Sequence, residues 1–229
     1  MKKFIRRYIM IKGKFAELIL AGKKTTTIRL GRVVPKSNEV IIHSNGRPIA
    51  EAKIKNVTYK KIKELTDEDA KKDGYSSLQE LLNDLKNIYK TDLDINIEVT
   101  VIEFEVIKRF DEIDVKDIYL GFSPHTIAVL ANRYLRDILS KDERNVVNHM
   151  LRYKNIRITT IKMFGSLNKR WVTRNILRRL LAKLMDKGVI NIDQGVLEKL
   201  ATVSIFWRRY LRKKIGANTS YEYQQGTLP

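Results

Sequence analysis

The sequence predicts an α+β protein in two parts: a mixed β-barrel with short helices, then an all-helical domain. Three observations lead there. Up to Ile107 the chain is rich in β-branched and alternating segments, broken by a few short helical blocks and with no strand–helix–strand rhythm. After Phe110 strand signals almost vanish and helical spacing takes over. The 229 residues, 43% of them hydrophobic, are enough for one large domain or two small ones, each with a core. The boundary is expected near 108–117, giving a barrel over 1–110, a helical domain over 111–216 and a polar, unstructured tail over 217–229.

In chain order, Phe4–Ile11 reads as the first strand, and FAELIL, Phe15–Leu20, as a short helix stopped at Gly22. Lys24–Leu30 (KTTTIRL) reads as a strand. Alternation puts Thr25, Thr27 and Arg29 on one face and Thr26 and Ile28 on the other. Glu39–Ser44 and Ile49–Tyr59 are strands joined through Asn45-Gly46, a hairpin signal. Thr66 with Asp69 three residues later marks a helix start, and Gly74 its end. Ser76 or Ser77 caps a helix whose Leu78, Leu81, Leu82, Leu85 and Ile88 share a face. Ile95–Ile107 alternates strictly and is the clearest strand.

In the second half, Ser123-Pro124 opens helical sequence over Thr126–Leu139, followed by Lys141–Tyr153. Thr159–Phe164, a turn at Gly165, and a long helix over Lys169–Asp186 capped by Asn168 come next. Val189–Ile192 reads as a short strand and Val196–Lys214 as a last helix.

Composition bounds function. There are 45 Lys+Arg against 26 Asp+Glu, a net charge of +19. Such a chain repels itself without a polyanion, and RNA, DNA or an acidic membrane are the candidates. No cysteine is present, which excludes disulfides, thiolate metal sites and cysteine nucleophiles. His43, His125 and His149 show no ligand spacing, so neither a metal nor a cofactor is expected. Apolar runs are far short of the ~20 residues that span a bilayer, and Arg6, Arg7, Lys12 and Lys14 interrupt anything like a signal peptide. A cytoplasmic protein with no membrane association is the expectation.

Three segments in order, LILAGKKTTTIR, LTDEDAKKDGYSSLQELLNDLKNIY and VTVIEFEVI, resemble the ASCH domain, a branch of the PUA-like barrel superfamily, over roughly residues 4–108. The family run Gly-x-Lys-x-x-Glu-x-Arg is met by Gly22, Lys24 and Arg29, with Thr27 in the Glu position. The Gly-x-Lys-Thr-x-Thr-Ile-Arg form looks most like the N4-acetylcytidine amidohydrolase branch. That resemblance implies Lys24 and Thr27 as catalytic and places the acidic partner on Asp73, where the branch carries Glu. The chemistry is coherent: a desolvated Lys can serve as base to a hydroxyl nucleophile, and an acid opposite can pass protons. Asp is a methylene shorter than Glu, and ~1 Å of misplacement can cost ~100-fold in rate. The same residues read otherwise as strand formers (Thr25–Thr27), first-turn acids, and cations on a barrel rim. Lys23, Lys24, Arg29 and Arg32 would then meet phosphate or a base edge.

The block from Ile158 through Ile192 looks like a winged-helix or helix-turn-helix unit. On its long helix Val172, Ile176, Leu177, Leu180, Leu181 and Leu184 form an apolar stripe, and Lys169, Arg170, Arg174, Arg178 and Lys183 lie mostly off it. From Thr159 onward there are 14 Lys+Arg and 4 Asp+Glu, which favours nucleic-acid contact. The last helix carries Arg208, Arg209 and Arg212 among Phe206, Trp207 and Tyr210, aromatics that either stack on bases or dock the helix. Trp171 reads as a core or anchor residue. The leading expectation is an RNA-binding protein for structured RNA such as tRNA or rRNA, with RNA favoured over DNA. The alternatives are an amidohydrolase using Lys24, Thr27 and Asp73 on acylated pyrimidine nucleosides, and a DNA-binding regulator.

Overall fold

A computed structural model describes residues 3–5, 7–90 and 92–222 of the chain, which divides into two compact units, 1–110 and 111–229. The first unit contains β1 (Lys3–Ile5), β2 (Tyr8–Ile11), α1 (Ala16–Leu20), β3 (Thr26–Leu30), β4 (Val33–Pro35), β5 (Glu39–Ser44), β6 (Arg47–Lys61), α2 (Asp67–Lys72), α3 (Leu78–Tyr89) and β7 (Glu98–Arg109). Five strands form one sheet in the order β2-β5-β6-β7-β3. Its β2–β5 pair is parallel and the rest antiparallel. β1 and β4 form a separate parallel pair. β2 and β3 remain as sheet edges, so the sheet is a half-barrel and not a closed ring. The long strands β6 and β7 bend it through register shifts at Glu51/Ala52 and Ile54/Asn56.

Several local signals act as their chemistry requires. Asn45 (φ 49°) and Gly46 (φ 77°) turn the β5–β6 hairpin, with Ser44 paired to Arg47. Both centres are left-handed, the geometry that matches strand twist. Thr66 caps α2 by accepting from the Asp69 N–H at 3.2 Å, and Asp69 returns a bond from the Thr66 N–H at 3.0 Å. Ser77 caps α3. The single strand expected over Phe4–Ile11 is instead two, β1 and β2, because the chain changes partner from β4 to β5.

The core of this unit lies between the sheet and α1–α3, around Ile9, Ile19, Ile28, Ile42, Leu81 and Ile102. The expected alternation of β7 fails at its start, where Val99, Thr100, Val101 and Ile102 are all buried. Thr100 tolerates burial because its hydroxyl donates to the Gly31 carbonyl at 2.7 Å and accepts from the Val33 N–H at 2.9 Å.

Among its described residues the second unit has helices and no strand: α4 (Pro124–Tyr134), α5 (Lys141–Tyr153), α6 (Ile156–Phe164), α7 (Arg170–Asp186), α8 (Gln194–Val203) and α9 (Ile205–Glu222). Its core holds Ile127, Leu130, Val146, Met150, Leu177, Leu180, Leu181 and Trp207. Glu143 of α5 is buried and takes the Lys183 ammonium of α7 at 2.8 Å. Burial opposes its charge, but Lys183 and the Ser140 N–H hold its pKa below the usual carboxylate range.

Four expectations are corrected here. Val189–Ile192 is not a strand, since no other strand exists among the described residues of this unit to pair with it. The wing of a winged helix is therefore not formed by these residues. Asn168 is not the cap of α7: Ser166 starts a 3₁₀ turn over Leu167–Lys169 that runs into the helix. The last helix is two, broken at Ser204, where the backbone is extended. The tail expected from Ala217 is helical as far as Glu222, and 223–229 lie outside the described residues.

Candidate functional site

The chain between α1 and β3 is pinned from both sides. The N–H groups of Lys23 and Lys24 donate to the Leu18 carbonyl at 2.8 and 2.9 Å, and Thr25 N–H donates to the Lys72 carbonyl of α2 at 3.0 Å. This turns the Lys24 side chain inward, where only 2% of the residue is exposed. Its ammonium donates to the carboxylate and main-chain carbonyl of Asp73, the residue that ends α2. It also lies 4.7 Å from the centre of the Phe15 ring. The other Asp73 oxygen accepts the Ile28 N–H at 2.9 Å. Gly74 follows with φ 86°, and a Cβ there would meet Phe15, Leu18 and the Lys24 stem at 3.1–3.3 Å. Only glycine meets both conditions without strain.

Lys24 precedes β3, so strand alternation does not govern it, which is why it can join Thr27 and Arg29 on one cavity wall. That cavity is about 30 Å³ and is lined by Lys24, Thr27, Arg29, Asp73 and Tyr75 together with apolar groups such as Phe15 and Ile88. It has room for one or two waters and not for a nucleoside. Tyr75 closes one side, its ring edge-on to Phe15 at 4.9 Å and its hydroxyl donating to Asp84 at 2.5 Å. Arg29 is half-buried and donates to the Met10 carbonyl at 2.6 Å.

Burial and the positive charges of Arg29 and Lys14 push the Lys24 ammonium down to about 7, while the Asp73 carboxylate pulls the other way. The pair thus lines a small recess together with the buried Thr27. Chemically, it can take and return a proton near neutral pH.

Of the cations expected at the barrel surface, Lys23 and Arg32 are exposed, with Arg32 over the Tyr59 ring at 4.2 Å and 3.8 Å from Glu98. Lys24 is not a surface contact: its charge is turned into the protein and matched by Asp73.

In the helical unit Lys169 and Arg174 are exposed, and Arg170 and Arg178 are half-buried. Arg178 donates to Asn175 and lies over the Phe206 ring at 5.2 Å. Arg208 is exposed, but its guanidinium donates to the Ala201 and Thr202 carbonyls at 2.9 and 3.1 Å. It therefore caps α8. Arg209 and Arg212 are exposed on α9. Trp171, read as core, is 63% exposed, and Trp207 is the buried one at 2%.

The charge of the second half is also unevenly distributed along the chain. From Arg144 to Met185 the chain runs 42 residues with 11 Lys+Arg and no Asp or Glu. No mixed solvated face looks like that. Among the described residues, no group of three or more His, Asp or Glu is placed to hold a metal, and no helix is long and apolar enough to cross a membrane.

The first unit is thus a half-barrel sheet with helices packed on it and an inward lysine at the α1–β3 junction. Residues 4–108, slightly under half of the chain, match the family model of the ASCH domain. Among solved structures the chain is similar to an ASCH domain from Lactobacillus crispatus JV V101, at 18% identity and TM-score 0.40, covering 47% of this chain and 81% of that one. It is also similar to protein EF3133 from Enterococcus faecalis V583, at 18% identity and TM-score 0.37, covering 42% of this chain and 69% of that one. No curated protein matches the chain.

Proposed function

We propose that the protein binds RNA, with the start of α7 meeting phosphates through Lys169, just before the helix, and Arg170 and Arg174 of its first turns. The observation that supports this is the 42-residue run without a carboxylate, which leaves the exposed Lys169 and Arg174 and the half-buried Arg170 with no acid of their own segment to neutralise them. The match of residues 4–108 to the ASCH domain, a PUA-like type proposed to bind RNA, favours RNA as the polymer. Binding of a labelled structured RNA, followed by anisotropy over a range of salt, tests it. Each phosphate contact contributes about 0.7–0.9 to the slope of log K against log salt. Arg170→Ala with Arg174→Ala should lower the slope by about 1.5. An unchanged slope discards the contact, and a preference for duplex DNA at matched salt discards RNA.

A second reading is favoured by a separate observation, the meeting of Lys24, Thr27 and Asp73 on one cavity. In it Lys24, uncharged, takes the proton of the Thr27 hydroxyl as that oxygen attacks the amide carbonyl of an acylated pyrimidine nucleoside; Asp73 holds the resulting ammonium, which returns the proton to the cytosine amine as the C–N bond breaks, and water then hydrolyses the Thr27 ester to release the carboxylate. The cavity must widen for this, by displacement of the Tyr75–Ile88 side. Acetate release from N4-acetylcytidine by purified protein, abolished in Lys24→Ala, is the expected result. No turnover at high protein concentration removes this reading.

A further inference from the structure

α7 and α9 enclose a groove that neither reading uses. It consists of two adjoining hollows of about 550 and 400 Å³ that share Arg179, Phe206 and Arg209. Each is within the size range of ligand sites. The floor is apolar, built from Ala182 and the rings of Phe206 and Tyr210. These rings, one helical turn apart on α9, both meet the buried Trp207 edge-on, at 4.9 and 5.6 Å, which fixes their orientation. The walls are cationic: Arg179 from α7, and Arg209, Lys213 and Lys214 from α9. None of these four has a carboxylate within ion-pair distance among the described side chains. The three other charged groups in the groove are engaged: Asp186 accepts the Tyr210 hydroxyl at 2.7 Å, Lys183 is paired with Glu143 at 2.8 Å, and Arg178 donates to Asn175 and lies over the Phe206 ring at 5.2 Å.

We infer that this groove binds an unpaired stretch of polynucleotide, with bases laid on Phe206 and Tyr210 and phosphates met by Arg179, Arg209, Lys213 and Lys214. The inference rests on the RNA-binding reading and adds that the helical unit takes single-stranded segments. An aromatic floor offers a surface only unpaired bases can use, since a duplex hides base faces within its stack. From Ile205 to Lys214 α9 rises about 14 Å, more than one nucleotide step, which favours a polymer over a free nucleotide. A membrane fits poorly, because the apolar atoms lie at the bottom of a concavity and not on a protruding face.

The protein holds two tryptophans, so Trp171→Phe leaves Trp207, in contact with both floor rings, as the sole indole reporter. Titration of this variant with a ten-nucleotide single-stranded oligouridylate should quench Trp207 to saturation. Affinity should exceed that for a matched duplex, and for AMP, by at least tenfold. Arg179→Gln with Arg209→Gln should lose tenfold or more, and Lys213→Gln with Lys214→Gln, at exposed positions that spare the fold, should lose severalfold. Tyr210→Leu should weaken binding without changing the salt slope, a pattern that lost folding would not give. Equal binding of duplex or AMP, quenching by anionic phosphatidylserine vesicles in place of the oligonucleotide, or groove variants that bind as the parent would each overturn the inference. If the groove variants bind normally while Arg170→Ala with Arg174→Ala is weakened, the groove fails and RNA binding stands. If no RNA binds at all, both fail.

Discussion

Asp73 gives one carboxylate oxygen to the buried Lys24 ammonium and the other to the Ile28 N–H of β3. One side chain thus ties the end of α2 to the strand that carries the candidate site. Breaking a buried pair from one side leaves the other charge stranded, at a cost of about 3–5 kcal/mol. Asp73→Ala should fall in that range by urea denaturation. Lys24→Met with Asp73→Asn should recover much of the loss, and a double variant as unstable as the single one would show that the ion pair is not what matters.

Lys24 should titrate far below an ordinary lysine, with a midpoint about 7 in a carbon-13 lysine NMR experiment. Its folded-state pKa lies below the unfolded value, so between about 7 and about 10 the unfolded chain binds more protons than the folded one. Stability therefore rises with pH across that window. The rise should be absent in Lys24→Met. A Lys24 midpoint above about 10, the ordinary lysine range, would refute the assignment.

Gly74→Ala combines a left-handed backbone with contacts of 3.1–3.3 Å to Phe15, Leu18 and Lys24. The backbone alone costs about 1–2 kcal/mol, and crowding adds to it. A melting temperature lowered by several degrees is expected. An unchanged one would mean the junction yields freely.

The two tryptophans should behave oppositely. Trp207→Ala empties a core site and should cost about 3–5 kcal/mol. Trp171→Ala at a 63% exposed position should change stability by less than about 0.5 kcal/mol. Acrylamide should quench Trp171 emission readily and Trp207 weakly, and equal quenching would contradict the structure.

What could be read in advance was local chemistry. Thr66 with Asp69, Ser123 before Pro124 and Asn45-Gly46 each act through neighbours a few residues away, and each sits where its pattern puts it. Non-local pairing was not legible. Nothing near Phe4–Ile11 says that its two halves pair with different strands, and Val189–Ile192 has strand composition but no partner. Trp171 was misplaced for a different reason. It stands one residue before the stripe that starts at Val172, about 100° round the helix from it, so spacing alone could have put it outside. At the candidate site, the in-register run around Lys24 and Thr27 and its resemblance to a known family named the residues. Burial of Lys24 against Asp73 depended on the α1–β3 junction, where strand alternation does not apply.

β3 lies at the rim of the sheet, where exposed main-chain donors invite a strand from another molecule. Two of those donors are already taken, Ile28 by Asp73 and Leu30 by the Tyr89 hydroxyl at 3.2 Å. The same carboxylate that holds Lys24 thereby also blunts an adhesive border, and a chain that lost it would be open there to self-association into sheet-like aggregates.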